Sequence, residues 1–410
     1  MAGIEKFDVT DPNPTHLVIE LFGGDNNLSD YILEDLQEMA AGNKGRFVVL
    51  ALADFLGDGG QVIELSRTKG LRVLENTGEI NTGDPETLAA FIARALVTYK
   101  DVPHVALGFW DHGSGVFEEN DPNEKELSRA LSHVSRRSVS RSLPARHLFV
   151  AQGAIAADEH LRAMLHDKTQ GDLLTNYEAY GVVRAALERA SFTRKLDVIF
   201  SDTCLNGMVE VLDQFKEFAT VVVGSEELEP GDGWDYERLF RMMSDKPPAS
   251  ATAWGEIAVA AFETGYRHRP NQFPCTLAAF RSENDVTKTF GELVAALAPA
   301  GKDGFRLVNG ARATTQGFAQ MDTYDIRDFA KQVADASDGD INKAATKLAK
   351  AVDDACIRSA ALGDDVGDAH GLAFWFPSNR RAFKDTAGTY RRLAFDESVH
   401  WADYLATHLL

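Results

Sequence analysis

Short apolar runs rich in β-branched residues recur through the first half of the chain, and each is followed by a polar turn and an amphipathic stretch. This order is typical of strands that alternate with helices around a parallel sheet. The runs are almost continuously apolar, which predicts strands buried on both faces. The predicted strands cover residues 16–22, 47–53, 104–110, 196–200 and 220–224. We therefore predict an α/β fold in which a mostly parallel sheet is flanked by helices.

The pattern changes twice along the chain. Residues 85–99 still predict a helix between two strands, because apolar side chains recur there at helical spacing. From about residue 120 to 195 the alternation of strands and helices breaks down. Toward the C-terminus the predicted structure is mainly helical, until a strand-like run at residues 371–377. We predict a domain over residues 1–245 with an insertion at about 120–195, and a smaller, mainly helical region over residues 246–410 that packs on the sheet.

The charge balance limits the partners that the protein is expected to bind. The chain carries 42 Lys and Arg against 62 Asp and Glu, a formal net charge of −20. So negative a protein repels phosphate backbones and anionic lipid, which argues against nucleic acid and membrane as partners. Cationic partners or substrates are favoured instead.

The termini and the cysteines indicate a reducing compartment. Residues 1–13 lack the apolar core of a secretory signal, and no apolar run in the chain reaches the roughly 18 residues of a membrane span. Cys204, Cys275 and Cys356 are odd in number and far apart, which fits free thiols better than disulfides or a zinc site. We therefore expect a cytoplasmic protein.

One basic segment stands out from the acidic background. Residues 128–149 carry several arginines and no acid, and their Ser-rich centre lacks periodicity and an apolar face, which predicts an exposed loop. Such a loop could bind an anion, as basic runs commonly do. It is also a suitable site for proteolytic nicking, which concentrates in small, polar, exposed loops, and we favour this interpretation. The candidate cleavage sites are Arg136, Arg137, Arg141 and Arg146, with Arg129 as a further basic residue of the loop.

Two predicted strand ends carry residues suited to nucleophilic catalysis, since ligands of open α/β folds bind at the carboxyl ends of strands. His112 follows one strand and is succeeded by Gly113, while Cys204 follows another and is expected to start an amphipathic helix. A helix N-terminus would lower the pKa of the thiol, and a neutral imidazole could accept its proton. If the two strand ends are neighbours, the backbone N–H groups of Gly113 and Cys204 are candidate donors to an oxyanion.

Several motifs together resemble the clostripain family of cysteine peptidases (peptidase family C11, caspase-like clan CD), and the similarity runs nearly end to end. They are FGGDNNLSDYI from Phe22, FWDHGSG from Phe109, IFSDTCLNG from Ile199, SEELEPGDGWDY from Ser225 and GLAFWFP from Gly371. The resemblance implies a caspase/hemoglobinase-like α/β fold, a His112/Cys204 dyad, and cleavage of protein or peptide substrates after Arg or Lys. It also implies a zymogen that cuts itself between the two catalytic residues, and it marks Asp202 as the floor of a pocket for the basic side chain.

The sequence departs from this family in two respects. Clostripain is a secreted precursor, whereas no signal is recognised here, and the segment between His112 and Cys204 is longer than expected. Some relatives respond to calcium, but the chain shows no acidic loop of the EF-hand type. We therefore predict no metal ligands and no cofactor, and calcium dependence stays open as an alternative that no visible motif supports.

Alternative interpretations of these residues stay open at this stage. Asp202 could cap the following helix, and Asp232 could belong to an ordinary Gly-Asp-Gly turn rather than to the pocket. The glutamates between Ser225 and Trp234 are expected to form a solvated acidic loop that attracts a cationic substrate. Cys275 and Cys356 are taken as structural. The alternative function is a catalytically idle caspase-like scaffold that holds a basic peptide, with a regulatory partner protein, in a signalling or defence complex.

Overall fold

The computed structural model describes residues 4–11, 13–117, 164–267, 274–319 and 322–410. The arginines proposed as self-cleavage sites, and the predicted exposed loop at residues 128–149, therefore lie outside the described residues.

A nine-stranded sheet forms the centre of the described structure, in the order β12-β10-β9-β8-β5-β1-β2-β3-β4. Its five central strands, from β9 to β2, pair in parallel, and the strands at both edges pair antiparallel. The strands in chain order are β1 (His16–Gly24), β2 (Phe47–Phe55), β3 (Gly59–Ser66), β4 (Gly70–Gly78), β5 (His104–Trp110), β6 (Leu165–Asp167), β7 (Asp172–Leu174), β8 (Leu196–Asp202), β9 (Ala219–Gly224), β10 (Cys275–Arg281), β11 (Thr323–Asp325), β12 (Cys356–Leu362) and β13 (Ala373–Trp375).

Helices cover both faces of the sheet. In chain order they are α1 (Ser29–Gly42), α2 (Pro85–Thr98), α3 (Asn176–Ala190), α4 (Val209–Phe215), α5 (Tyr236–Asp245), α6 (Ala251–Tyr266), α7 (Val286–Leu297), α8 (Gly301–Arg312), α9 (Ile326–Asp335), α10 (Gly339–Ala355), α11 (Arg380–Tyr390), α12 (Ala394–Val399) and α13 (Trp401–Leu409). Among the residues that the structure describes, no helix has the length and apolar character needed to cross a membrane.

Two apolar cores lie on the two faces of the sheet, and the alternation of side chains along β1 divides its residues between them. Leu17, Ile19 and Leu21 pack in the core formed with α2, α3 and α7. Val18 and Phe22 pack in the core formed with α1, α5 and α6. Burial on both faces explains why the central strands are apolar at most positions rather than only at alternate ones.

The predicted parallel sheet is confirmed, because all five predicted strands are present and adjacent in it. The helix predicted at residues 85–99 is α2, which begins where the Asp84 side chain accepts hydrogen bonds from the N–H groups of Glu86 and Thr87.

The C-terminal part of the predicted insertion has regular secondary structure. Residues 164–190 form the β6–β7 hairpin and α3, whose N-terminus has a capping box of Thr175 and Glu178. Helix α3 therefore continues the alternation of strands and helices, because it directly precedes β8 in the chain.

The C-terminal region is mainly helical, as predicted, but it also completes the sheet. Strands β10 and β12 add to the edge beyond β9, so the sheet crosses the predicted boundary at residue 245. The apolar run at residues 371–377 contains β13, which pairs with β11 in a small separate sheet. A bridge between Met208 and Ala373 fastens this small sheet beside the end of β8.

Two buried glutamates should make the fold less stable as pH rises. Burial raises the pKa of Glu210 to about 7, and likewise raises the pKa of Glu227 to about 7. Since the folded state keeps a proton that the unfolded chain releases above its ordinary carboxyl pKa, stability falls as pH rises between about 4.5 and 7. We expect the free energy of unfolding, measured by urea denaturation, to be lower at pH 8 than at pH 5.5 by about 2 kcal/mol per group.

A Glu210→Gln variant provides the control for this pH dependence. The glutamate accepts hydrogen bonds from the Trp375 N–H at 2.9 Å and the Tyr390 hydroxyl at 2.9 Å, and a glutamine oxygen can accept both. The variant should therefore fold and show a weaker pH dependence than the wild-type protein. Equal stability of the wild-type protein at both pH values would contradict the prediction.

Candidate active site

The two catalytic candidates follow neighbouring strands. β5 and β8 pair in parallel, with Trp110 opposite Asp202 at their carboxyl ends, so the segments carrying His112 and Cys204 leave the same edge of the sheet side by side. A Cβ atom on Gly113 would lie only 2.1 Å from the carbonyl oxygen of Cys204. The two strand ends are therefore neighbours, which was the condition for Gly113 and Cys204 to act together, and only glycine fits at position 113.

Cys204 lies in a tight turn rather than at the start of a helix. The helix α4 begins at Val209, so the prediction that a helix starts directly after the cysteine is wrong. Leu205 adopts a left-handed backbone conformation with φ 65°, and the Gly207 N–H donates to the Ser225 carbonyl at 2.7 Å. These contacts hold residues 203–207 as an irregular turn. The helix-terminus argument for a lowered thiol pKa therefore no longer applies.

The segment after β9 lies over this turn. The Glu229 N–H donates to the Cys204 sulfur at 3.2 Å, and the Leu205 N–H donates to the Glu227 carbonyl at 3.2 Å. The cysteine is consequently 3% exposed. The segment after β9 therefore shields the Cys204 sulfur in the described structure.

His112 is held by an asparagine that the sequence analysis did not single out. Its Nε2 lies 2.8 Å from Oδ1 of Asn27, an arrangement in which Nε2–H donates to the amide oxygen. The other ring nitrogen, Nδ1, is then the one able to accept a proton. The only signal for Asn27 in the sequence was its place in the FGGDNN motif.

Asp111 connects the histidine to two other segments. One carboxylate oxygen accepts hydrogen bonds from the His112 N–H at 2.6 Å and the Asn26 side-chain amide at 2.9 Å, and the other accepts from the His166 N–H. Burial raises the pKa of Asp111 well above its ordinary value, although these three donors oppose the shift. Since a Cβ on Gly23 would lie 2.7 Å from this carboxylate, the arrangement also requires glycine at that position.

Asp202 points into the protein beside the cysteine and does not cap a helix. It is completely buried and accepts a hydrogen bond from the Tyr236 hydroxyl at 2.7 Å. Burial raises its pKa, whereas hydrogen bonds from Glu229 and Tyr236 act in the opposite direction. The alternative of a capping role is wrong, because Met208 occupies the N-cap position of α4.

Glu229 and Asp202 form a close pair of carboxyl groups. Burial raises the pKa of Glu229 well above its ordinary value, and the nearby charge of Asp202 raises it further. The two shifts favour a protonated Glu229 that donates a hydrogen bond to Asp202. The Trp234 indole N–H donates to the other side of Glu229 at 3.0 Å.

The expectation of a solvated acidic loop between Ser225 and Trp234 is wrong. Glu226, Glu227 and Glu229 are all buried. The Glu226 carboxylate accepts from the Gly371 N–H at 2.7 Å, and the Glu227 carboxylate accepts from the Ala319 N–H at 3.1 Å. These glutamates fasten the C-terminal region to the site instead of attracting substrate through solvent.

Two more buried acids lie behind Asp202. Burial and the charge of Asp202 raise the pKa values of Glu20 and Asp35 well above the ordinary range. No lysine or arginine of the described residues is among the groups acting on them, on Asp202 or on Glu229. A cavity of about 20 Å³ lined by Glu20 and Tyr236 lies within this group. The interior beside Cys204 is therefore strongly acidic and lacks a cation in the described structure.

The remaining candidates occupy different positions. Asp232 is half-buried in the turn at residues 230–233, where the Gly233 N–H donates to the Pro230 carbonyl at 2.8 Å. Cys275 is buried in β10, and Cys356 starts β12 at the sheet edge, where burial raises the pKa of its thiol. Neither cysteine lies on the two segments, after β5 and β8, that carry His112 and Cys204.

Comparison with known proteins agrees with this arrangement. A largely parallel sheet with a cysteine turn and a histidine at adjacent strand ends is that of an α/β cysteine peptidase. The model of the clostripain family, peptidase C11, matches residues 21–131 and 153–407. The chain therefore belongs to the clostripain family. No match was found among the curated proteins.

Solved structures show the same fold. An inactive zymogen of a C11 protease from Parabacteroides distasonis has a TM-score of 0.65 and 16% identity, covering 95% of this chain and 99% of that one. A secreted C11 cysteine protease from Bacteroides thetaiotaomicron, in complex with an irreversible peptide inhibitor, has a TM-score of 0.64 and 16% identity with the same coverage. The likeness extends over nearly the whole of both chains, so the C-terminal region belongs to the shared fold.

Proposed function

We propose that the protein is a cysteine endopeptidase that cleaves after Arg or Lys, with Cys204 as nucleophile and His112 as its proton-transfer partner. The observation that carries the proposal is the acidic interior beside Cys204, where Asp202 and Glu229 are buried together without a cation in the described structure. Buried carboxylates are costly unless they are paired. A guanidinium or ammonium group from substrate supplies the missing partner.

The proposed chemistry uses the two strand ends. His112 Nδ1 accepts the proton of the Cys204 thiol while Asn27 holds Nε2–H. The thiolate attacks the scissile carbonyl, and the N–H groups of Gly113 and Cys204 stabilise the oxyanion. The imidazolium then returns its proton to the leaving amine, and water hydrolyses the acyl-enzyme.

The proposed pocket for the basic residue is formed by Asp202, with Asp232 as a second contributor. When a guanidinium enters, the proton shared by Asp202 and Glu229 can leave, because the cation replaces it as the compensating charge. Binding of the basic side chain is then coupled to loss of the proton from the Asp202–Glu229 pair. A neutral residue at P1 would leave the proton in place and form no ion pair with Asp202.

Self-cleavage in the Arg-rich segment is the proposed route to the active enzyme. We expect the purified protein to cut itself after Arg136, Arg137, Arg141 or Arg146, because this basic segment lies in the chain between the two catalytic strand ends. Mass spectrometry should find an N-terminal fragment of about 15 kDa and a C-terminal fragment of about 30 kDa, given the position of these residues in the chain.

The control for self-cleavage is a Cys204→Ala variant, which should remain whole. Replacing the four arginines by Gln should yield an uncut protein of low activity that trypsin cannot activate in this segment. Full activity of this uncut variant would show that the segment does not inhibit the enzyme.

One assay distinguishes the proposed peptidase from the alternative, an inactive scaffold that holds a basic peptide. Fluorogenic aminomethylcoumarin substrates with Arg, Lys or a neutral residue at P1 should be turned over in that order of preference, and iodoacetamide should stop turnover. Absence of turnover before and after trypsin treatment would favour the scaffold.

A further inference from the structure

A groove with apolar side chains in its lining lies between helix α1 and the β3–β4 hairpin. Its volume is about 600 Å³, within the range of roughly 300–1,000 Å³ that ligand sites occupy. Leu33 of α1, Leu56 of the β2–β3 turn and Val73 of β4 line it and are 50%, 45% and 46% exposed. Three separate elements therefore present apolar side chains to one groove.

These three side chains are half of the large apolar side chains that are exposed in the described parts of the chain. The other three, Ile4, Tyr177 and Leu410, lie outside the groove. Single exposed apolar residues are ordinary, whereas a cluster of them beside polar groups is typical of a binding surface. Asp58 and Gln61 supply such polar groups in the same lining. The clustering indicates that the groove receives an apolar group.

The strand order places the groove on the histidine side of the candidate active site. The carboxyl ends of β8, β5, β1 and β2 follow one another along the sheet. Cys204 follows β8, His112 follows β5, and Asn27 follows β1. Oδ1 of Asn27 lies 2.8 Å from His112 Nε2, and Asn27 also lines the groove. The groove therefore begins at the residue that holds the histidine and continues away from the cysteine, toward β3 and β4.

The chemistry of peptide hydrolysis determines which part of a substrate lies on this side. The imidazole of His112 returns its proton to the leaving amine, so the residues after the scissile bond must lie beside it. The proposed pocket for the basic residue lies in the opposite direction, where Asp202 ends β8 and Glu229 follows β9. The sheet order thus directs the leaving part of a bound peptide from β5 toward β2 and the groove.

We propose that this groove is a subsite for an apolar side chain that follows the scissile bond of the substrate. The proposal rests on the proposed function, because Cys204 and His112 set the direction of the peptide. An apolar side chain that enters the groove is removed from water together with part of Leu33, Leu56 and Val73, which stabilises the complex. A charged side chain at the same place loses water without gaining this contact.

Quenched fluorescent peptides test the proposal. Each peptide has Arg at P1 and Gly after the scissile bond, and Leu replaces Gly at one of the first three of these positions in turn. We expect Leu in at least one position to raise kcat/KM about fivefold or more over the all-Gly peptide, since partial burial of one leucine has an effect of this size. All proteins are treated with trypsin, which is then removed, so that they are compared after the same cut.

Two variants localise the preference to the groove. Leu33→Gln and Val73→Thr keep the approximate size of exposed side chains and make them polar. Each should lower the ratio of kcat/KM for the Leu peptide over the Gly peptide by about threefold or more. Leu410→Gln changes an exposed leucine outside the groove and should keep the wild-type ratio. Equal rates for the Leu and Gly peptides, or an equal change of the ratio in Leu410→Gln, would overturn the proposal.

An Arg-aminomethylcoumarin substrate separates failure of this proposal from failure of the proposed function. It has no amino acid after the scissile bond, so its hydrolysis by the wild-type protein reports on peptidase activity alone. If it is hydrolysed while the Leu and Gly peptides react equally, the protein is a peptidase and the groove is not a subsite.

Binding without turnover provides a second measurement. In the full-length Cys204→Ala protein, treated with trypsin in the same way, the preferred Leu peptide should slow amide hydrogen exchange at residues 29–36 and 71–73 more than the Gly peptide does. Protection confined to other segments would contradict the proposal. If exchange at these residues instead slows with rising protein concentration and is indifferent to peptide, a second copy of the chain occupies the groove and the proposal is wrong.

Discussion

A Cys204→Ala variant is expected to lose peptidase activity by at least about 10⁴-fold while keeping its fold. The substitution removes the proposed nucleophile and very little volume, and the turn at residues 203–207 is held by backbone hydrogen bonds that alanine preserves. Turnover of an Arg-aminomethylcoumarin substrate measures the loss, and circular dichroism checks the fold.

The other two cysteines provide matched controls. Cys275→Ala and Cys356→Ala should remain active, because these residues lie in β10 and β12 rather than on the segments that follow β5 and β8. Iodoacetamide should label Cys204 faster in the presence of an activating cut. If alkylation stopped activity while modifying only Cys275 or Cys356, the assignment of the nucleophile would be wrong.

His112→Ala should be nearly as damaging as loss of the cysteine, since a nucleophile and its base act as a unit and their losses do not add. Asn27→Ala should have a smaller effect on kcat, because Asn27 only orients the ring through Nε2. The double variant Cys204→Ala/His112→Ala should be no worse than either single variant.

The central sheet could be predicted from the sequence because strands buried on both faces are apolar at most positions and so form nearly continuous apolar runs. Residues 104–110, for example, are apolar almost throughout and coincide with β5. The edge strands could not be recognised in the same way. β4 alternates between half-buried and exposed residues, and β12 is similarly exposed, so neither gives a continuous apolar run.

The catalytic candidates were predictable for a related reason, since they directly follow such strands. The environment of the site could not be predicted from the sequence, because burial of a glutamate depends on contacts with residues far away in the chain. Glu226 is buried by its hydrogen bond to the backbone of Gly371, 145 residues away. Likewise Asp25, Asp54 and Asp167 meet only when three segments converge. Without knowledge of these long-range contacts, acidic residues in a sequence are predicted to be exposed to solvent.

Asp202→Asn is expected to remove the preference for a basic residue at P1. The substitution keeps the shape of the side chain and its hydrogen bond from Tyr236, so the fold should survive. Truncating one partner of a buried charge pair typically costs about 2 to 5 kcal/mol, or roughly thirtyfold to several thousandfold in rate. The ratio of kcat/KM for Arg over neutral P1 substrates is the measurement.

Glu229→Gln distinguishes the charge of Asp202 from the general acidity of the interior. Because the pKa of Glu229 is raised well above its ordinary value, this group is already neutral before substrate binds, and glutamine imitates that state. The variant should therefore lose much less of the preference for Arg than Asp202→Asn does. If Asp202→Asn instead kept the wild-type ratio, the pocket would lie elsewhere, and Asp232→Asn would be the next variant to measure. If both Asp202→Asn and Glu229→Gln lost the preference equally, the guanidinium would have to pair with both carboxylates, so that two charges rather than one select the basic residue.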